Sequence, residues 1–143
     1  PRGGRGPAGA GEPGRALVTL HVYSTPVTRV AGCVGMPVVH LGIELYGFEF
    51  FFDAEDGVRC CPPSRYDSQR HVEALPLGKT PLRRVDFKAL ILRMKHEFPP
   101  TSYQLCGCNC QTFAVALCKR LGLEDGCIPP NYAYFAQARL CSA

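Results

Sequence analysis

Residues 38–52 read Val38-Val39-His40-Leu41-Gly42-Ile43-Glu44-Leu45-Tyr46-Gly47-Phe48-Glu49-Phe50-Phe51-Phe52. Val38 to Tyr46 is rich in β-branched and apolar side chains and reads as a strand. Gly47 marks a turn, and Glu49–Phe52 reads as the next strand, so the stretch predicts a β-hairpin. Alternation buries at least one face of the aromatic run Phe48, Phe50, Phe51 and Phe52. His40 lies inside the first strand among apolar neighbours. An imidazole there costs free energy unless something bonds it. The commoner use of such a histidine is a core side chain satisfied by backbone.

Working outward, Ala16–Tyr23 on the N-terminal side is a second apolar, β-branched segment and predicts a strand. Residues 1–14 hold six Gly and three Pro, a composition that cannot bury enough surface to order itself. Residues 1–15 are therefore expected to be a disordered tail, residues 16–135 the folded domain and residues 136–143 a C-terminal tail. Beyond the hairpin, residues 53–71 carry Gly57, Pro62, Pro63 and many polar groups. They predict a loop with at most a short strand near Val58. Val72–Leu77 predicts a strand that Pro76 places near an edge.

Thr80-Pro81 looks like a turn or a helix entry. Phe87, Leu90, Ile91, Met94 and Phe98 then fall at the spacing of one helical face, which predicts a helix over Leu82–Glu97, stopped by Pro99-Pro100. Tyr103-Gln104-Leu105 reads as a short extended piece. A second helix starts near Cys110, with Phe113, Ala116, Leu117, Arg120 and Leu121 on its inner face and Gly122 at its end. Ile128-Pro129-Pro130 closes the ordered part. Antiparallel strands followed by helices, with hairpin connections, make an α+β domain.

The chain has 143 residues, of which 46% are hydrophobic, enough for one domain with a real core. No apolar run reaches the roughly 18 residues of a membrane span. Net charge is +4, and half of it comes from Arg2, Arg5 and Arg15 set against Glu12 in the tail. The remainder is too weakly basic for a nucleic-acid footprint. Nine cysteines make an odd number in a chain whose core needs no staples. Most of them read as reduced and buried small hydrophobes, which points to a cytoplasmic or nuclear setting.

Cys110 stands at the start of the second predicted helix. The helix dipole and its exposed N–H groups favour the thiolate there, and the same N–H groups suit an oxyanion. A base is still needed, usually an imidazole. His21, His40, His71 and His96 are the four available. Cys106-Gly107-Cys108-Asn109-Cys110 invites a zinc reading, but structural zinc sites space their ligands as C-x₂₋₄-C pairs, and a single intervening residue fits poorly. No metal or other cofactor is expected. Cys106 and Cys108 are expected to pack rather than to protect Cys110 through a reversible disulfide.

Several segments together resemble one family. Val39 to Phe52 is similar to the histidine segment of the PPPDE peptidases, the permuted papain-fold enzymes also known as DeSI-type isopeptidases. Leu77-Gly78-Lys79-Thr80 resembles that family's turn before a helix. Tyr103-Gln104-Leu105 followed by Asn109-Cys110-Gln111-Thr112-Phe113 resembles its nucleophile segment. Leu121-Gly122 and Ile128-Pro129 match its close, and Val18–Tyr23 its first strand. The likeness runs from about Ala16 to Pro130.

The resemblance implies a circularly permuted papain-like cysteine peptidase domain. Cys110 is then the nucleophile and His40 its base, with histidine first in the chain, as a permutation requires. Asn109 and Gln111 fall where oxyanion or loop support is expected. Two positions depart from the pattern: Cys108 stands where the family has His, and Gln111 where it has Asn. The implied activity is removal of SUMO or ubiquitin from conjugated proteins. Thioester cleavage such as depalmitoylation uses the same dyad, and a domain that only binds ubiquitin-like proteins is the non-enzymatic alternative. Homodimers also occur in the family.

Overall fold

The computed structural model describes residues 15–24, 39–66, 69–105 and 107–134. Most of the expected N-terminal tail, the expected C-terminal tail, Val38, Cys33, Cys106, Phe135 and Cys141 lie outside the described residues.

Five strands form one antiparallel sheet: β1 Ala16–Ser24, β2 Val39–Leu45, β3 Phe48–Asp53, β4 Gly57–Cys61 and β5 Arg70–Thr80, in the order β4-β3-β2-β1-β5. Two helices follow, α1 Arg84–Glu97 and α2 Cys110–Arg120, separated by a short 3-10 helix at Pro100–Ser102. This is the α+β arrangement expected from the sequence.

The alternation along each strand sorts side chains between two unlike faces. Val18, Leu20 and Val22 of β1, Leu41, Ile43 and Leu45 of β2, and Phe52 of β3 join Phe87, Leu90, Ile91 and Met94 of α1 and Phe113, Ala114 and Leu117 of α2 in one apolar core. The opposite face buries Tyr23, Phe51 and Tyr66 and, beside them, the polar side chains His21, His40 and Glu49.

The β2–β3 hairpin closes through Tyr46 at φ 54° and Gly47 at φ 82°. Two consecutive left-handed residues make the tight turn whose twist matches paired strands, and glycine accepts that conformation without strain. Tyr46 tolerates it because its hydroxyl donates to the carbonyl of Leu82 and its ring stacks beneath Arg84, 5.2 Å from the guanidinium carbon.

One expectation holds and three are corrected. Residues 53–71 form a loop with a short strand near Val58, β4, which pairs with β3. The carboxylate of Asp53 accepts from the N–H groups of Glu55 (3.1 Å) and Asp56 (2.8 Å) and from Arg59 Nε (2.9 Å), which folds the chain back tightly enough to pair β4 with β3. Cys60 and Cys61 therefore sit on a strand. Leu77–Thr80 is the end of the long edge strand β5, not a turn, because β1 stays paired with it as far as Ala16 opposite Thr80. On α2 the inner face is Phe113, Ala114, Leu117 and Cys118, continued by Leu121. Arg120 faces solvent instead, where it pairs with Glu97 of α1.

The cysteines are also less uniform than expected. Cys110 and Cys118 are buried free thiols, Cys61 and Cys127 are half-buried, and Cys60 is exposed. Cys108 packs in the apolar core, as expected, but is disulfide-bonded rather than reduced. Among the described residues, no group of three or more His, Cys, Asp or Glu side chains is placed to hold a metal ion, and no helix is long and apolar enough to cross a membrane.

One close approach fixes β2 against β3 on the polar face. Glu49 is fully buried. Its Oε2 accepts from the Tyr23 hydroxyl at 2.8 Å and from the N–H of Ser64 at 2.9 Å. A Cβ on Gly42 would stand 2.0 Å from its Oε1 and 2.7 Å from its Cδ. Gly42→Ala must displace a buried carboxylate from two hydrogen bonds. It should lower unfolding free energy by about 2–3 kcal/mol, read as a lower urea midpoint at unchanged slope. An unchanged midpoint would mean that Glu49 moves aside freely.

Candidate functional site

The site lies where two strands part. β2 pairs with β3 only through Ile43, Glu44 and Leu45, so Val39–Gly42 have β1 on one side and no β3 partner on the other. Buried main-chain polar groups need partners. The N-terminus of α2 fills the opening. The thiol of Cys110 donates to the carbonyl of Val39 at 3.6 Å, and the N–H of Leu41 points at the same sulfur. The thiol thus meets the main chain on both sides of His40.

A capping box holds α2 in this position. Asn109 Oδ1 accepts from the N–H groups of Gln111 (2.9 Å) and Thr112 (3.4 Å), and the N–H of Asn109 donates to Thr112 Oγ1 at 2.8 Å. The amide nitrogen of Asn109 donates to the carbonyl of Leu105 at 2.8 Å, tying the preceding loop to the helix start. The whole Asn109 side chain is therefore engaged in shaping the turn that carries Cys110. Gln111 is buried in the first turn of α2.

His40 is turned to the aromatic face. Its ring stacks on Tyr66 with centroids 3.7 Å apart and planes 9° apart, and it meets Phe51 edge-on at 5.4 Å and Tyr23 at 5.8 Å. Nε2 is buried without a hydrogen-bond partner among the described residues. Burial lowers the imidazole pKa from 6.5 to about 3, with Asp53 pulling it up and Arg59 pushing it down. The ring is neutral at physiological pH.

The thiol does not follow the sequence expectation. A helix N-terminus favours thiolate, and the N–H groups of Leu41, Cys110 and Gln111 and the Tyr103 hydroxyl all act in that direction. Burial is the larger effect and raises the Cys110 pKa from 9.0 to about 11. Only 4% of Cys110 and 5% of His40 is exposed, so both groups rest uncharged. Tyr103 belongs to this environment as well. Its hydroxyl bonds Cys110, and burial and the nearby sulfur lift the phenol well above its usual range.

The other histidines are occupied elsewhere. His21 bonds Glu44 through Nε2 at 2.6 Å and His71 through Nδ1 at 2.9 Å, while His96 is exposed on α1. Sequence reasoning missed Tyr66, Asp53 and Arg59. Tyr66 lies in a non-repeating stretch with no periodicity to read. Asp53 did leave a signal, since an Asp opening Asp53-Ala54-Glu55-Asp56-Gly57 is a turn former that bonds its own downstream N–H groups.

A family model described as "PPPDE putative peptidase domain" matches residues 17–138. The chain belongs to this family. Among curated proteins it is similar to the DeSI-like protein At4g17486 of Arabidopsis thaliana, 27% identical over 117 residues that cover 78% of this chain and 52% of that protein. It is also similar to the DeSI-like protein sdu1 of Schizosaccharomyces pombe, 28% identical over 109 residues that cover 69% of this chain and 54% of that protein. The chain spans about half the length of these relatives.

The buried pair gives this PPPDE domain a characteristic pH dependence. Between about pH 3 and 6.5 the unfolded chain binds a proton at His40 that the folded chain refuses. Stability therefore falls as pH drops through that window. Above pH 9 the unfolded Cys110 loses a proton that the folded thiol keeps until about pH 11, so stability falls again on the alkaline side. By pH 4.5 the histidine should account for about 2–3 kcal/mol of lost unfolding free energy. His40→Phe should flatten the acid limb in chemical denaturation measured across pH. An acid limb as steep as in the parent protein would place the titration elsewhere.

Proposed function

We propose that this PPPDE domain is a cysteine isopeptidase that removes SUMO or ubiquitin from conjugated proteins, with Cys110 as nucleophile and His40 as base. The observation that carries the reading is the seating of the Cys110 thiol at a capped helix start, against the main chain on both sides of His40. A thiol at a helix N-terminus, with an imidazole on the adjoining strand, supports a role in acyl transfer. The family membership and the DeSI-like relatives support the same class.

In this reading the sulfur of Cys110 attacks the carbonyl carbon of the isopeptide bond while its proton passes to His40. The N–H of Cys110 at the helix start lies near the developing oxyanion. His40 then gives the proton to the departing lysine amine, leaving a thioester on Cys110. Water, deprotonated by His40, hydrolyses the thioester and restores the thiol. The neutral imidazole is in the correct form for the first step. Thiol and imidazole must come into contact for the transfer, because at rest the thiol is bonded to Val39 and Nε2 of His40 has no partner.

A ubiquitin or SUMO vinyl-sulfone probe tests the assignment. The parent protein should be labelled on Cys110, Cys110→Ala should not react, and His40→Ala should react at least about 100-fold more slowly. Labelling at another cysteine, or labelling indifferent to His40, would overturn the roles. Hydrolysis of an acyl thioester with no reaction toward either probe would keep the dyad and replace the isopeptide substrate by a thioester.

A further inference from the structure

A second thiol centre lies at the opposite end of α2. Cys118 is buried on the last turns of the helix, only 2% exposed, and Cys127 is half-buried on the turn that follows. That turn folds back on the helix: the N–H of Leu123 donates to the carbonyl of Cys118 at 3.1 Å, and the N–H of Cys127 donates to Glu124 at 3.2 Å. The turn brings Cys127 beside Cys118, close enough for the two thiols to influence each other's ionisation. Both are free thiols, and both line one cavity of about 200 Å³ at the surface. A water molecule occupies about 30 Å³ in the liquid, so the cavity admits a hydroperoxide. Eight residues of helix, about 12 Å, separate Cys118 from Cys110.

We propose that Cys118 and Cys127 form a redox-active dithiol that closes to a disulfide when a hydroperoxide enters this cavity. Cys127, the more accessible of the two, attacks first. Its sulfur bonds the distal oxygen of the peroxide, the O–O bond breaks, Cys127 becomes a sulfenic acid and water leaves. The sulfur of Cys118 then attacks the sulfur of Cys127. The S–S bond forms, the S–O bond breaks, and the departing hydroxide takes the Cys118 proton as a second water. Two thiols lose two electrons and two protons, and one hydrogen peroxide is reduced to two waters.

The resting pair explains why the second step follows the first. Burial raises the Cys118 pKa above the ordinary thiol range, and the neighbouring Cys127 raises it further. Oxidation of Cys127 to a sulfenic acid places an electrophilic sulfur beside the buried one. Proximity that hinders ionisation in the reduced pair then favours closure in the oxidised one.

The test uses the full chain without reductant, treated with a small excess of hydrogen peroxide, alkylated and digested with trypsin. Lys119 and Arg120 lie between the two cysteines, so the new bond joins two peptides that otherwise separate, and fragmentation of the joined pair places the bond on Cys118 rather than on Cys106, Cys108 or Cys110 of the same peptide. The joined pair, lighter by two hydrogens than the sum of its parts, should appear in the parent protein and in Cys110→Ala. Cys127→Ser should yield none and leave Cys118 alkylatable after unfolding. Because Cys118 is in the core, Cys118→Ala serves only as a trap, in which Cys127 should react with dimedone. The proposal is overturned if both thiols remain alkylatable in the treated parent protein. It is equally overturned if Cys127 pairs with a different cysteine, or goes to sulfinic acid with no joined peptide.

Discussion

The parting of β2 from β3 governs the site. Paired along their whole length, the two strands would satisfy Val39 and Leu41 and leave no place for a helix end. They separate after Ile43, and the main-chain groups so exposed are buried. An unsatisfied buried peptide group costs about 1–3 kcal/mol. The thiol of Cys110 meets this need at the Val39 carbonyl, with the Leu41 N–H facing its sulfur. The capping box at Asn109 and the apolar face of α2 hold the thiol there. The position of the Cys110 thiol is thus a consequence of sheet geometry.

Much of this was legible in the sequence, for identifiable reasons. The hairpin, β1 and α1 have strong periodicity, and their inward residues are those that alternation or helical spacing selected. Cys110 could be placed at a helix start because Asn109 before it is a strong capping residue. β4 runs past Val58 because the local Asp53 turn returns a polar segment to β3, and its Cys60-Cys61 end carries no alternation to read. What escaped was decided by contacts distant in sequence. Arg120 fits the inner stripe by spacing, yet the ion pair with Glu97 and the cost of burying a guanidinium keep it outside. Tyr66 meets His40 only once the fold is complete.

The cysteines show the same limit. Composition suggested one role for all of them, but their environments differ: a disulfide at Cys108, a buried free thiol at a helix start at Cys110, neighbouring thiols at Cys118 and Cys127, and a solvent-facing Cys60. Spacing in the chain did not distinguish these cases, because thiol chemistry follows burial and the nearest donors.

Burial also constrains how a Cys110–His40 pair can work within the proposed function. The two pKa values, about 11 and about 3, are separated by about eight. At roughly 1.4 kcal/mol per pKa unit, moving the proton from thiol to imidazole costs on the order of 10 kcal/mol before the charges attract. At 4 Å and an effective dielectric of 20, their attraction returns only about 4 kcal/mol. Burial therefore works against a preformed thiolate–imidazolium pair at rest. The proton must move as the sulfur–carbon bond forms, so that charge leaves the sulfur for an oxyanion near the start of α2. Alternatively, substrate entry must first relieve the burial that is the largest influence on both groups. The helix N-terminus then contributes by stabilising charge that develops during attack, not by ionising the thiol beforehand.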